Sequence, residues 1–287
     1  MEAQPYVTRS DPYLIKDFVA DFDAIAAEFA ARSGALSAKA TTRADIAYGA
    51  SPRETVDLIL PDQVSDGAPL HVFVHGGYWR SGNKENYRFV AAPVLAVGGI
   101  CALVEYDLMP GQRLPVLVDQ VRRAVCWLRD NARSFGADPD RITVSGHSAG
   151  AHLSSYLAAT GPNETKAPRL PDLRGLLLVS GIYDLSGIPD SFLRDEAAMT
   201  HEEAASWSPL SSSHHAGPPR ILAFGGAETA PFHDQAGALH QKLQSQNLPL
   251  DLMEVPEHNH MSVMLELGDP DQPLGRRLSN LVEAAQA

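Results

Sequence analysis

Cysteine is scarce in this chain. Two thiols among 287 residues, Cys101 and Cys126, exclude a disulfide framework and any four-cysteine zinc or iron–sulfur site. Both sit in apolar runs and read as buried thiols. Positive charge is also in deficit: 23 Lys and Arg stand against 35 Asp and Glu, a formal net charge of -12. Such a surface repels nucleic acid and acidic membranes, and no basic stripe overrides it. No uncharged apolar run reaches the roughly 18 residues of a membrane-spanning helix. The first residues, MEAQPYVTRSDPYLIKDF, lack a basic start followed by an apolar stretch, so they do not read as a secretory signal. The expectation is a cytoplasmic protein that acts on a small molecule, with neither nucleic acid nor membrane as a partner.

What is present is an alternation of short apolar strands with helices. Residues 11–34 carry Leu14, Phe18, Phe22, Ile25 and Phe29 at spacings of three and four, which predicts a helix ended by Gly34. That helix either covers the core or crosses to a second copy in a homodimer, and the residues leave both open. Strands are expected at 55–61, 70–77, 99–106, from 141 into a turn ending at 150, and at 173–181, 220–224 and 250–255. Helices are expected over 114–131, 151–159 and 232–245. The strands are apolar throughout rather than alternating, as strands covered on both faces are, which points to crossover units and a mostly parallel sheet. Residues 182–219 break the alternation and read as a small helical lid followed by a loose loop. A single domain over 1–287 with an insertion fits better than two.

Gly146-His147-Ser148-Ala149-Gly150 matches G-x-S-x-G, a weak pattern by itself. Here an apolar strand precedes it and a helix follows, the context of a nucleophile elbow. Small neighbours let Ser148 occupy a tight turn with its oxygen exposed. A serine nucleophile needs N–H donors where the oxyanion forms. Ala149 N–H is one. His75-Gly76-Gly77-Tyr78-Trp79, at the end of an earlier strand, offers Gly76 and Gly77 as others, with Tyr78 N–H as a third. His75 precedes the nucleophile and is expected to hold this loop rather than to act as base. In the order serine, acid, histidine, the acid is Asp184, Glu228 or Asp234, and the base is His258 or His260. Neither that histidine pair nor His214-His215 has a third ligand at useful spacing, so no metal is expected.

With these residues in place, the chain resembles the kynurenine formamidase (arylformamidase) family of α/β-hydrolases, in the hormone-sensitive-lipase-like branch. The similar segments are YGASPRETVDLILP, HGGYWR, GHSAGAHL, SGIYDL and SWSPL, across about 45–265. The resemblance implies an α/β-hydrolase fold: a mostly parallel central sheet flanked by helices, with a small helical lid insertion. It places Glu228 on the family's acid, where Asp is usual, and His260 on its base, with Met261 in place of an aromatic residue. The implied reaction is hydrolysis of an aryl formamide, N-formyl-L-kynurenine, to L-kynurenine and formate. The alternative is a carboxylesterase or amidase acting on other small aryl or short-acyl substrates with the same residues. Tyr78, Trp79, Tyr183, Phe232 and Met261 are the expected substrate-binding residues, with Phe192 and Trp207 as further options. Arg80 is placed to meet a carboxylate or to make a surface salt bridge. No cofactor is required.

Overall fold

The computed structural model describes residues 11–165 and 170–285. In chain order it contains α1 (Phe22–Ser37), β1 (Thr41–Ala47), β2 (Thr55–Leu60), β3 (Ala68–Val74), α2 (Ala91–Ala96), β4 (Ile100–Val104) and α3 (Leu114–Asn131). Then follow β5 (Ala137–His147), α4 (Ala149–Ser155), β6 (Ala159–Thr160), β7 (Gly175–Val179), α5 (His201–Ser206) and β8 (Ser213–His214). The chain closes with β9 (Arg220–Gly225), α6 (Ala230–Ser245), β10 (Leu250–Val255), α7 (Ser262–Leu267) and α8 (Pro273–Ala284).

Eight strands form one sheet in the order β1-β2-β4-β3-β5-β7-β9-β10. The pairs β1·β2 and β2·β4 are antiparallel, and β4·β3, β3·β5, β5·β7, β7·β9 and β9·β10 are parallel. β3, β4 and β7 are buried along their whole length, which explains why they are apolar apart from His71 of β3. α3 buries Leu117, Val121, Ala124, Val125 and Leu128 on its inner face. From β3 the chain crosses outward to β4, then returns past β3 to β5. The crossover direction therefore reverses between neighbouring strands. In open α/β sheets, a crevice forms at such a reversal, beyond the carboxyl ends of the strands. His75 leaves β3 and Ser148 leaves β5 at that place.

The leading segment differs from its expectation. Residues 11–21 are not α-helix: Ile15–Asp17 is a short 3-10 turn, and α1 begins at Phe22 and runs through Gly34 to Ser37. The polar groups of 11–13 are engaged elsewhere. Asp11 carboxylate oxygens accept from Tyr13 N–H and Phe192 N–H, and Pro12 C=O accepts from Thr229 Oγ. Tyr13 C=O accepts the Tyr78 hydroxyl at 2.5 Å. Those tertiary bonds replace the i→i-4 ladder, and they turn Leu14 and Phe22 towards the crevice while Phe18 is left 46% exposed. The stretch 182–219 holds 3-10 turns at Ile188–Asp190 and Pro209–Ser211 around α5. Thr200 and Glu203 cap α5 reciprocally. Among the described residues, no helix is long and apolar enough to cross a membrane.

Candidate active site

β5 delivers Ser148 through a turn that only small neighbours permit. Ser148 has φ 55° and ψ -120°, outside the regions an L-residue prefers. A Cβ on Gly146 would stand 2.4 Å from Gly150 C=O, and one on Gly150 would stand 2.1 Å from Val74 C=O. Both glycines are therefore obligatory, and strand, turn and α4 pack at backbone contact. Ser148 N–H donates to Val179 C=O at 2.9 Å, which ties the strained residue to the neighbouring strand.

The other two functional groups arrive from the next strands along. Glu228 lies in the loop after β9, and His260 lies after β10. His260 Nε2 is 2.9 Å from Ser148 Oγ, and His260 Nδ1 is 2.7 Å from Glu228 Oε2. Glu228 Oε1 accepts from Ser180 Oγ–H at 2.5 Å and from Gly225 N–H at 2.6 Å. The carboxylate is thus fully buried with three donors around it. His260 is held in turn by its backbone, whose C=O accepts from His147 Nε2–H at 2.9 Å. That bond leaves His147 Nδ1 as the unprotonated nitrogen. Burial and the adjacent His260 push the His147 imidazole well below its ordinary value, against its bond to the His260 carbonyl, so it does not compete as a base.

The remaining candidates sit apart. Asp184 accepts from Ser186 N–H in a local turn, and Asp234 faces solvent on α6. His258 pairs with Glu266 at 2.8 Å. Among the described residues, no group of three His, Cys, Asp or Glu side chains could hold a metal ion.

The loop after β3 is pressed against Ser148. A Cβ on Gly76 would lie 3.0 Å from His147 C=O and 3.1 Å from Ser148 Cβ. Gly77, Tyr78 and Trp79 follow with φ of 122°, 51° and 60°, three left-handed residues in a row. Such a run is held only by its surroundings, since each non-glycine costs about 1–2 kcal/mol there. Gly77 C=O accepts from Arg80 N–H and Ser81 N–H. His75 bridges Gly76 C=O at 2.7 Å and Glu105 Oε1 at 2.8 Å. Burial raises the Glu105 pKa, but the bond and charge of His75 and the charge of Arg53 outweigh it and hold the carboxyl below its ordinary range. His75 therefore sits in a buried ionic network beneath the loop, away from Ser148 Oγ.

A cavity of about 390 Å³ opens in front of Ser148 and His260. Tyr78 and Met261 line it. Trp79, Tyr183 and Phe232 do not. The left-handed turn drives Trp79 inward, where it is fully buried and its Nε1–H donates to His152 Nδ1 at 3.1 Å. Tyr183 is buried against Gly181, with its N–H on Gln235 Oε1. Phe232 packs against the His260 ring, centroids 4.2 Å apart, and does not line the cavity. The walls that sequence reasoning missed are Leu14, Ile15, Phe22, Tyr87 and Glu196. The apolar residues at 14 and 22 were visible, but nothing local assigned them to the site.

Comparison with known proteins follows this geometry. The BD-FAE family model matches residues 56–243. A kynurenine formamidase of Danio rerio is 30% identical over 98% of this chain and 95% of its own. Esterase LipQ of Mycobacterium tuberculosis is 30% identical over 51% of this chain and 37% of its own. A crystal structure from Silicibacter sp., described as that of a candidate thioesterase, superposes with a TM-score of 0.77 at 26% identity, covering 96% of this chain and 98% of that one.

Proposed function

The chain belongs to the kynurenine formamidase family of α/β-hydrolases and to the BD-FAE family, a hydrolase of the esterase and formamidase type, and on that premise we propose that it cleaves an aryl formamide, N-formyl-L-kynurenine, through an acyl-enzyme on Ser148. The observation that carries the proposal is the line Ser148 Oγ, His260 and Glu228, joined at 2.9 and 2.7 Å, with Ser148 and His260 lining an apolar, aromatic cavity.

In this reading His260 Nε2 takes the Ser148 proton as Oγ attacks the formyl carbon. Glu228 keeps the Nδ1–H tautomer and stabilises the imidazolium that forms. Backbone N–H groups of Gly76, Gly77 and Ala149 receive the oxyanion. The C–N bond breaks, and His260 gives its proton to the departing aryl amine. Water then attacks the formyl ester, with His260 again as base, and formate leaves as Ser148 recovers its proton. Every group that reacts belongs to the chain, the substrate or water.

The same residues would open an ester, and the similarity to an esterase favours that as the second reading. Formate release from N-formyl-L-kynurenine, set beside hydrolysis of p-nitrophenyl acetate and butyrate, separates the two. A kcat/KM at least tenfold higher for the formamide supports the first. Rapid ester turnover with no formate release transfers the function to the second.

A further inference from the structure

The end of β7 touches both Ser148 and Glu228. Its last residue, Val179, accepts Ser148 N–H at 2.9 Å. The next residue, Ser180, donates its hydroxyl to Glu228 Oε1 at 2.5 Å. Ser180 is 1% exposed and does not line the cavity in front of Ser148. Its φ is 51°, a left-handed value that is uncommon for a residue with a Cβ and persists only where the surroundings enforce it. Those surroundings are the neighbouring strand and the turn itself. Ser180 N–H donates to Ala223 C=O of β9 at 2.7 Å, where β7 and β9 run parallel with Val179 opposite Ala223. A Cβ on Gly181 would stand 2.3 Å from the Tyr183 ring, so the turn is closed over that side chain. An extended residue at 180 would continue the pleat of β7. The left-handed one brings its Oγ to the carboxylate instead.

We propose that Ser180 is a positioning residue for the acid: together with Gly225 N–H it clamps Oε1 of Glu228, so that Oε2 stays on His260 Nδ1. This role rests on the assignment of Ser148, His260 and Glu228 given above. The terminal torsion of a glutamate is broad, so a single contact does not fix the plane of its carboxylate. Two donors on one oxygen do. They come from the ends of adjacent strands, Ser180 just beyond β7 and Gly225 at the end of β9, the latter donating at 2.6 Å. The loops that carry Glu228 and His260 are joined separately. Ala227 N–H donates to His258 C=O at 2.9 Å, and a Cβ on Gly225 would meet that carbonyl at 2.2 Å. The main chain thus fixes where the two side chains start, and Ser180 fixes which way the carboxylate faces. Without the hydroxyl, Oε1 keeps one donor and the carboxylate is free to turn about its last bond. Oε2 then leaves the 2.7 Å contact that keeps the proton of His260 on Nδ1.

Ser180→Ala and Ser180→Gly both remove the hydroxyl, but alanine keeps the backbone strain and glycine releases it. Each is compared with wild type by thermal melt, and by kcat and KM on whichever of N-formyl-L-kynurenine and p-nitrophenyl acetate is turned over. The rate of fluorophosphonate labelling at Ser148 is a third readout that needs neither substrate. Ser180→Gly should melt above Ser180→Ala, yet both should lose kcat by the same factor, about ten- to a hundredfold for one bond to a charged group. KM should stay as it is, and labelling should slow in parallel. In a Glu228→Gln background the same substitutions should change kcat by less than about threefold, because residues that act as a unit are not additive. Three results overturn the clamp: activity that follows the melting temperature, a wild-type kcat in a folded Ser180→Gly protein, or a full loss that persists in the Glu228→Gln background. Ser148→Ala keeps this outcome separate from the hydrolase reading. If it retains turnover, the nucleophile falls and the clamp with it. If it is inactive and unlabelled while Ser180→Gly is fully active, only the clamp falls.

Discussion

Glu228→Gln tests how the acid works. Oε1 of Glu228 faces two donors, the Ser180 hydroxyl and Gly225 N–H, while Oε2 faces His260 Nδ1. A glutamine has one acceptor and one donor to share between these sides. With its amide nitrogen towards Gly225, two N–H groups would oppose each other at about the 2.6 Å that now separates acceptor and donor. The Ser180 hydroxyl can rotate, but the Gly225 backbone cannot. The glutamine therefore sets its carbonyl on that side and points its NH₂ at Nδ1. His260 must then accept at Nδ1 and carry its proton on Nε2, facing Ser148 Oγ, where it can no longer remove the serine proton. The corresponding carboxylate-to-amide change in a serine-protease triad lowers kcat by about 10⁴ while leaving the geometry intact. A loss of about 10³–10⁴ is expected here, or about 4–5.5 kcal/mol at 1.4 kcal/mol per tenfold. KM should change little, because the interaction is made in the transition state. Initial rates of formate or p-nitrophenol release give kcat, and a thermal melt checks that the variant is folded. A folded Glu228→Gln protein with kcat within tenfold of wild type would refute the tautomer argument and reopen the choice of acid.

Four further outcomes are expected. A fluorophosphonate should label Ser148 stoichiometrically by mass spectrometry, and Ser148→Ala should lose both label and turnover; labelling elsewhere with activity intact removes the nucleophile. Trp79→Ala should cost about 3–5 kcal/mol of stability, as for a large buried ring, and lower kcat/KM equally for an aryl formamide and an alkyl ester, because Trp79 packs behind the loop; a selective loss would put it in the cavity. Gly82→Ala places a methyl 2.6 Å from Gly76 C=O at a φ of 96°, so it should displace Gly76, the proposed oxyanion donor, and lower kcat by the ~10²–10³ of one lost donor, with KM spared; an unchanged kcat argues against Gly76. Burial lowers the His71 and His152 imidazoles to about 3 and about 4 from 6.5. Between those values and 6.5 the unfolded chain holds protons that the folded one does not, so stability is full above pH 6.5 and is lost as pH falls towards 4, by about 3 kcal/mol for His152. Urea unfolding at pH 7 and pH 4.5 should show that fall, with a smaller fall in His152→Gln; a flat profile contradicts it.

Much of this protein is decided locally. Strands covered on both faces are mostly apolar, so β4 and β7 announce themselves as short runs such as ICALV and GLLLV, and β3 does so around one buried histidine, His71. A nucleophile at a strand-to-helix turn needs Gly146 and Gly150, because any Cβ there meets backbone within 2.4 Å. Those demands act within a few residues, so they are written in the sequence. β1 shows the limit. It is a sheet-edge strand with mostly exposed residues, TTRADIA, and it has no apolar run to read.

The cavity, by contrast, is assembled from distant segments. Leu14 and Phe22 look like helix-face residues until Asp11, Pro12 and Tyr13 bond to Phe192, Thr229 and Tyr78 and turn the segment across the site. Trp79 and Tyr78 are neighbours in the chain, yet one is in the core and the other on the cavity. Hydrophobic periodicity reports that a side chain is buried, and it is silent about what buries it. Two consecutive left-handed residues depart from the alternation that a strand would impose, and only the packing of His152 against Trp79 decides which way the ring points. The order in which Ser148, Glu228 and His260 come along the chain was therefore legible in the sequence. The shape and charge of what reaches Ser148 were set by tertiary contacts among segments that share no local pattern.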